Sequence, residues 1–264
     1  MSKRQSKRTS HGYQSSEDEV EQFLDEVFTF PKDNDPRVRV TLTFAQSLDS
    51  KIAGANGKQL TLSCKESMHM THMMRARHDT ILVGIGTALN DNPQLNIRLL
   101  TPKDGETAPV PVILDTDLRF SLDSKLAINF RSGKGERPIL VTKKKVKGSE
   151  EPEWDARKRA LEEAGLLVIE VPLEHGRLSI KRLLLELQDM GVKSLMVEGG
   201  ASVISSFIGS GLVDRLVVTV CPTLVGDEGV AYNVGTVPSL EYMRSQSVGR
   251  DTVMAWRGWR LGFR

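Results

Sequence analysis

A carboxylate followed by two glycines stands at the end of an apolar run and offers the clearest chemistry in this sequence. The run Leu195–Val197 ends at Glu198, and Gly199-Gly200 then leads into a helical pattern that reaches Ile208. Because glycine has no Cβ, a ligand can approach the main chain there, and the free N–H groups of a first helical turn attract phosphate. The segment predicts a phosphate site beside Glu198, and the alternative is a turn that only packs tightly.

A second glycine-bearing segment, Gly84–Arg98, follows the short apolar run Thr80–Val83. Its two glycines loosen the chain at the strand exit, and Thr87 is placed to cap the next helical turn. In open α/β sheets, ligands bind at the carboxyl ends of the strands. The segment therefore predicts a second wall of a ligand site, and the alternative is a capped helix with a solvated turn.

Other groupings of reactive side chains carry less weight. His69 and His72 could share a metal, but no carboxylate completes the set, so a partly solvated helix face is favoured and no metal is expected. The basic run Lys143–Lys147 has no interleaved aromatic residues and is typical of a solvated segment. The sequence lacks a nucleophile elbow, a P-loop and the third glycine of the dinucleotide fingerprint. Any dinucleotide site must be of another design.

Strand and helix patterns alternate along the chain and must position these groups. Helical patterns occur around Val20–Phe28, after Ser63, and over Asp155–Ala164, Ile180–Met190 and Ala201–Ile208. Strand patterns occur at Val38–Phe44, Thr80–Val83, Val110–Leu114, Ile139–Val141, Leu166–Val171, Val213–Cys221 and Thr252–Leu261. The alternation predicts an α/β fold with a mostly parallel mixed sheet and helices on both faces. The last two strands have no long helix between them and predict an antiparallel C-terminal edge.

Composition narrows the class of protein. The 264 residues suffice for one large domain, and a net charge of +2 with interspersed signs does not favour nucleic acid as a partner. Two distant cysteines suggest neither a disulfide framework nor a zinc site, and no stretch is apolar enough to span a membrane. We expect a disordered polar tail over residues 1–19, a single domain over residues 20–264, and a cytoplasmic location.

Four segments in order resemble the riboflavin-biosynthesis reductase family, in its stand-alone fungal and archaeal type: Phe44–Ala53, Met74–Asp79, Gly84–Arg98 and Met196–Ser202. The resemblance runs from about Val38 to the C-terminus. It implies a dihydrofolate-reductase-like fold, NADPH as cofactor, a homodimer, and a phosphorylated ribosylaminopyrimidine as substrate. The implied reaction is hydride transfer to C1′ of the sugar, which turns the ribosylamino group of 2,5-diamino-6-ribosylamino-4(3H)-pyrimidinone 5′-phosphate into a ribitylamino group.

The resemblance also implies roles for individual residues. Those expected to contact the cofactor are Ala45, Thr87, Asp91, Thr116, Gly199, Gly200, Ala201 and Ser202. Those expected to face the substrate are Arg75, Leu95, Arg98 and Glu198, with the two arginines as partners of the 5′-phosphate. Lys51 and Glu198 are the expected catalytic residues, through protonation of the sugar and through negative charge near a cationic imine. Thr116 with Lys143 or Lys144 is the candidate contact for a 2′-phosphate.

One departure from the family pattern and two rival functions stay open at this point. Ser50 replaces a glycine in Ser47–Lys51, so the local turn could differ. Another pyrimidine or pteridine reductase of the dihydrofolate reductase type would carry similar motifs. A non-catalytic module that senses NADPH would bind the cofactor without oxidising it.

Overall fold

The fold is built on one large sheet, seen in a computed structural model that describes residues 11–30, 36–100, 107–235 and 239–258. Nine strands pair in the order β10-β11-β9-β1-β8-β2-β3-β4-β5, and β6 and β7 form a separate hairpin. The strands are β1 (Arg39–Ser47), β2 (Thr80–Gly84), β3 (Val110–Leu114), β4 (Ile139–Lys143), β5 (Leu167–Val171), β6 (Leu173–Glu174), β7 (Arg177–Leu178), β8 (Ser194–Gly199), β9 (Arg215–Cys221), β10 (Glu241–Val248) and β11 (Asp251–Arg257).

Helices cover both faces of this sheet. They are α1 (His11–Val27), α2 (Lys65–Ala76), α3 (Ile85–Asp91), α4 (Lys125–Arg131), α5 (Pro152–Glu163), α6 (Ile180–Asp189) and α7 (Ala201–Ser210). In α6, Ile180, Leu183, Leu184 and Leu187 are buried at the spacing of one helical face, and Ser179 caps its first turn. Within the described residues, no helix combines the length and the apolar character that a membrane crossing requires.

The parallel part of the sheet runs from β9 to β5, and its strands are buried between two helical layers. The helices α6 and α7 pack on one face, while α3, α4 and α5 pack on the other. All five residues of β2 are buried, as expected for a strand covered on both sides. The predicted mostly parallel sheet is confirmed.

The C-terminal strands form the predicted antiparallel edge, because β11 pairs antiparallel with β9 and β10 pairs antiparallel with β11. The edge strand β10 is absent from the sequence prediction. Its residues are mostly polar and only partly buried, so no apolar run announces it. The strand predicted over Thr252–Leu261 corresponds to β11, and residues 259–264 lie outside the described part of the chain.

The N-terminal helix begins earlier than the sequence predicts. Residues 11–19, expected in the polar tail, belong to α1, and residues 1–10 lie outside the described chain. A long-range contact explains the difference, since Glu17 pairs with His69 of α2 at 2.7 Å. The apolar residues of α1, including Phe23 and Leu24, pack on α2 and the antiparallel edge. Arg215 completes the anchor by donating to the Val27 carbonyl oxygen at 2.6 Å.

Candidate functional site

A cavity of about 520 Å³ opens at the carboxyl ends of β1, β8 and β2, which are neighbours in the sheet. The two glycine-bearing segments meet there, because they follow the adjacent strands β2 and β8. Seven of the predicted site residues line this cavity: Ala45, Thr87, Asp91, Glu198, Gly200, Ala201 and Ser202. A chamber of this size at this edge of a parallel sheet is where ligands of α/β proteins bind.

The glycines of the two segments differ in how much space surrounds them. A Cβ on Gly200 would lie 2.9 Å from Thr87 Oγ1, and one on Gly84 would lie 2.8 Å from Val203 Cγ2. These two positions need glycine for close packing, and Gly200 also has a φ of +94°. A Cβ on Gly86 would meet no atom within 4 Å, although Gly86 lines the cavity. Tight packing and ligand access are therefore both present, at separate glycines.

Thr87 does not cap a helix, contrary to the sequence expectation. Strand β2 passes directly into α3, with Gly84 at the cap position and Thr87 inside the helix. Its hydroxyl instead faces Gly200 across the cavity wall. On that opposite wall, α7 begins at Ala201 directly after Gly200. The first-turn N–H groups of α7 have no partner within the helix, so they are available to an anion.

A β-bulge directs Glu198 into the cavity. Leu82 of β2 pairs with Val197, whereas the next residue, Val83, pairs with Gly199. Glu198 is the extra residue of β8 at this register shift, and such bulges re-aim side chains next to functional sites. Its side chain is only 16% exposed, so a partner for its charge is needed.

Arg75 supplies that partner through a bidentate ion pair. Its Nε and Nη2 donate to the two carboxylate oxygens of Glu198 at 2.6 and 2.7 Å, and its Nη1 donates to the Asn96 carbonyl oxygen at 3.0 Å. Burial disfavours the charged guanidinium, but the charge of Glu198 and the hydrogen bonds to it prevail and raise the pKa of Arg75. The Nε edge of Arg75, which the sequence predicts as a partner of a substrate phosphate, is therefore occupied by Glu198.

The other predicted substrate residues lie outside the lining. The side chain of Leu95 is 2% exposed and belongs to the core beneath α3, so only its main chain is left for the predicted substrate contact. Arg98 is exposed, and its Nη1 donates to Asn96 Oδ1 at 3.1 Å. Gly199 is buried behind the lining, with a φ of +104°. Lys51 directly precedes the lining residue Ile52.

The candidate contacts for a 2′-phosphate also lie outside the cavity, near the carboxyl ends of β3 and β4. The main-chain carbonyl of Thr116 accepts a hydrogen bond from Thr142 Oγ1 at 2.8 Å. Lys143 Nζ lies 2.7 Å from Glu151 and 3.7 Å from Asp117. The hydrogen bond to Glu151 is the main reason why the pKa of Lys143 is raised. Lys144 is exposed.

The turn after β1 keeps a left-handed residue despite the replacement of glycine by serine. Ser50 has a φ of +60°, a conformation that glycine adopts more easily. Asp49 secures this turn by accepting hydrogen bonds from Ser47 Oγ and from the main-chain N–H groups of Val225 and Gly226. These bonds, led by that from Ser47, lower the pKa of Asp49 to about 2. The loop around Val225 is thereby joined to the turn that carries Lys51.

The histidines of α2 and the following residues do not form a metal site among the described residues. The predicted solvated face is wrong for His72, which is fully buried because α1 and the sheet enclose most of α2. Neither ring nitrogen of His72 makes a well-formed hydrogen bond, although the Asn96 main chain lies nearby. His78 is also buried, and its ring nitrogens contact the Met74 carbonyl oxygen and Thr41 Oγ1.

One wall of the cavity is missing from the sequence prediction. It includes Ile52, Ala53, Leu60 and Leu62, in a segment without regular periodicity. An isolated bridge between Ala53 and Val230 holds this wall in place. The two bridged residues are far apart in the chain, so no local pattern could have revealed the contact.

Fold and site together define an α/β protein with a cavity at the carboxyl edge of a parallel sheet, beside a mostly buried carboxylate. Residues 38–254 match the model of the family described as the RibD C-terminal domain, and the chain belongs to this family. The predicted fold class is confirmed by a solved structure of the riboflavin biosynthesis reductase Rib7 from Saccharomyces cerevisiae. It superposes with a TM-score of 0.71 at 29% identity, covering 91% of this chain and 99% of that one.

Two curated relatives are more similar in sequence, and both are named 2,5-diamino-6-ribosylamino-4(3H)-pyrimidinone 5′-phosphate reductase. The protein from Debaryomyces hansenii is 37% identical over 212 residues, which cover 79% of this chain and 83% of the relative. The protein from Eremothecium gossypii is 35% identical over 237 residues, which cover 86% and 91%. The resemblance stated from the four motifs is confirmed.

The buried histidines predict a loss of stability in mild acid. Burial is the largest of the causes that lower the pKa of His72, to about 3 from 6.5, and burial also lowers the pKa of His78. Between about pH 6.5 and pH 3 the unfolded chain binds a proton at His72 and the folded chain does not. The free energy of unfolding should therefore fall by up to about 1.4 kcal/mol per pH unit through His72, and His78 should act in the same direction.

Urea unfolding of the parent and of His72→Leu, measured between about pH 7.5 and pH 5, checks this linkage. The variant should lose one histidine's share of the pH dependence. Met68→Leu, which changes an exposed residue of the same helix without a titratable group, serves as the control and should keep the parent slope. An identical slope in His72→Leu and the parent would contradict the linkage.

Proposed function

We propose that this protein is an NADPH-dependent reductase of riboflavin biosynthesis. Its substrate would be 2,5-diamino-6-ribosylamino-4(3H)-pyrimidinone 5′-phosphate, whose ribosylamino group becomes a ribitylamino group. The curated relatives carry the name of this reductase. The observation that carries the proposal is the position of the Glu198 carboxylate beside the N-terminus of α7 in one cavity, since the reaction needs a phosphate cradle and a negative charge together.

The residues present fit a dinucleotide cofactor. Gly86 leaves open space on the cavity side, and Gly200 brings the unpartnered N–H groups of α7 to the opposite wall. We assign the diphosphate to the segment Gly199–Ser202 and the neighbouring contacts to Ala45, Thr87 and Asp91. When bound, NADPH would supply the hydride that reaches C1′ of the opened sugar.

Glu198 would stabilise positive charge on the substrate. An open-chain imine becomes cationic when its nitrogen is protonated, and a fixed carboxylate in a mostly buried site stabilises such a charge strongly. Lys51 would donate a proton to the sugar oxygen that leaves C1′. The turn that carries Lys51 is fastened by Asp49, which gives the ammonium group a defined origin beside the cavity wall.

The compartment and the assembly belong to the same proposal. Both cysteines, Cys64 and Cys221, are unpaired, which suits a reducing compartment, and we propose the cytosol. We also propose a homodimer, which rests on the family resemblance.

A spectrophotometric assay tests the function directly. Purified protein is incubated with NADPH and the diamino ribosylaminopyrimidine phosphate, and separately with its deaminated analogue and with dihydrofolate. We expect NADPH oxidation with the diamino compound and a ribityl product by mass spectrometry. Oxidation with dihydrofolate alone would identify another reductase, and NADPH binding without any oxidation would identify a sensing module.

Gly86 provides a test of the cofactor cradle that leaves the fold intact. Gly86→Ala adds a methyl group to open space, so it should weaken NADPH binding by about tenfold or more, which corresponds to about 1.4 kcal/mol. The free energy of unfolding should stay equal or rise slightly, by up to about 1 kcal/mol, because alanine favours a helix. Gly200 is unsuitable for this purpose, since a substitution there strains the turn itself.

Gly209→Ala in α7 is the matched control, because its added Cβ also meets no atom within 4 Å and Gly209 does not line the cavity. It should leave the NADPH dissociation constant unchanged in isothermal titration calorimetry. Equal affinities of the parent and Gly86→Ala would move the cofactor away from this wall.

Removal of the two catalytic groups should lower turnover without loss of cofactor binding. Glu198→Gln removes the negative charge and should reduce kcat by about a hundredfold or more, the usual effect of losing one electrostatic group. Lys51→Ala should reduce kcat by a similar factor of about 10². Lys58→Ala, at an exposed position on the same segment, is the control. Steady-state kinetics with unchanged kcat in both variants would exclude them from the mechanism.

A further inference from the structure

Arg75 is the best-connected residue near the cavity. Its guanidinium carries five N–H donors, of which two bind Glu198 and one binds the Asn96 carbonyl oxygen. Its side chain is 10% exposed, so these bonds form away from bulk water. The fork shape of the guanidinium matches both carboxylate oxygens at once, which fixes the orientation of the carboxylate as well as its charge.

We propose that Arg75 is the positioning residue of the reductase, which holds the carboxylate of Glu198 aimed into the cavity and ties it to the loop Gln94–Arg98. This inference rests on the proposed function, because it explains how that reaction keeps its carboxylate. Arg75 acts through Glu198 and is therefore not itself a catalytic residue.

The β-bulge makes such a residue necessary. The register shift turns Glu198 out of the ladder of β8, so strand pairing does not hold its side chain. An isolated carboxylate that is mostly buried loses several kcal/mol of hydration and would accept a proton instead. Among the described residues, Arg75 is the only cation that pairs with Glu198. The guanidinium of Arg75 supplies both the opposite charge and the orienting hydrogen bonds that the strand does not provide.

Other titratable groups around the pair cannot take over this task. His72 on α2 is neutral above about pH 4, because burial first and the charge of Arg75 second lower its pKa to about 3. His78 is buried, and burial lowers its pKa as well. Arg98 is exposed and bonded to Asn96. Asp91 is a second carboxylate that lines the same cavity, and burial raises its pKa.

The third bond of Arg75 connects the carboxylate to a loop. Asn96 accepts from Arg75 through its carbonyl oxygen and from Arg98 through Oδ1, and its Nδ2 donates to Gln94 Oε1 at 3.1 Å. The same loop thus presents the exposed Arg98 and holds Arg75. Arg75 would therefore fix the position of Glu198 relative to any substrate group that contacts this loop.

The test compares Arg75→Met, Arg75→Lys and the control Arg77→Met, which removes an arginine of the same segment that pairs with Asp25 outside the cavity. We expect kcat of Arg75→Met to fall by at least tenfold at neutral pH. The acidic limb of its kcat profile should move upward by about one to three pH units, the usual effect of removing an adjacent opposite charge. Arg75→Lys keeps the positive charge but not the two-pronged hydrogen bonding. Its pH profile should therefore be close to that of the parent, while its kcat stays below that of the parent.

Asp91→Asn in the parent and Arg75→Met backgrounds removes the competing carboxylate, and the shift of the acidic limb should persist. Carbon NMR of the free protein adds a readout that needs no turnover. The carboxyl signal of Glu198, assigned by its absence in Glu198→Gln, should respond at higher pH in Arg75→Met than in the parent. If Arg75→Met does not fold, the test rests on Arg75→Lys. A kcat and a pH dependence of Arg75→Lys equal to those of the parent would overturn the proposal.

The outcomes separate the two proposals. A raised KM for the substrate with an unchanged kcat profile and unchanged NMR titration would assign Arg75 to phosphate binding and overturn the positioning role. The expected NMR change in a protein that oxidises no NADPH would support the positioning role and reject the proposed function. Arg77→Met should match the parent in every readout.

Discussion

The Arg75–Glu198 ion pair is the interaction on which the site depends, because it offsets the loss of hydration of a mostly buried carboxylate at the end of a strand. Removing one partner of such a pair typically costs about 3 to 5 kcal/mol, since the remaining charge stays buried. The pair requires that α2 lies against the end of β8, and α1 encloses α2 in turn. The N-terminal helix is therefore part of the support of the site, although it lies far from the cavity.

The glycines around the cavity show how one residue type serves two opposite needs. At Gly84 and Gly200, the missing Cβ lets two chain segments touch, and the strand-to-helix turns would not close around a larger residue. At Gly86, the missing Cβ leaves room that no protein atom uses. Open space indicates room for a ligand only where the glycine also lines the cavity, as Gly86 does and Gly209 does not. A glycine pattern in a sequence cannot distinguish tight packing from open space, because the difference lies in which atoms face the glycine in the folded protein.

The parallel strands and the turn after Glu198 could be predicted from the sequence, because apolar runs and paired glycines are local features that span only a few residues. Long-range contacts escaped prediction. Arg75 and Glu198 are separated by 123 positions, and Glu17 in the extra turns of α1 pairs with His69 of α2. The polar edge strand β10 carries no apolar run. Residue roles carried over from the family placed Leu95 at the substrate, but its side chain fills the core.

The basic group proposed for a 2′-phosphate raises a final point about charge. Lys143 is held by Glu151 and Asp117, so two carboxylates stand where a doubly charged phosphate would have to approach. Lys143 and Glu151 are each about a quarter exposed, and pairs near the surface typically contribute only about 0 to 1 kcal/mol. A phosphate could therefore displace Glu151 at little cost. The ion pair keeps the ammonium in place at the ends of β3 and β4, outside the cavity.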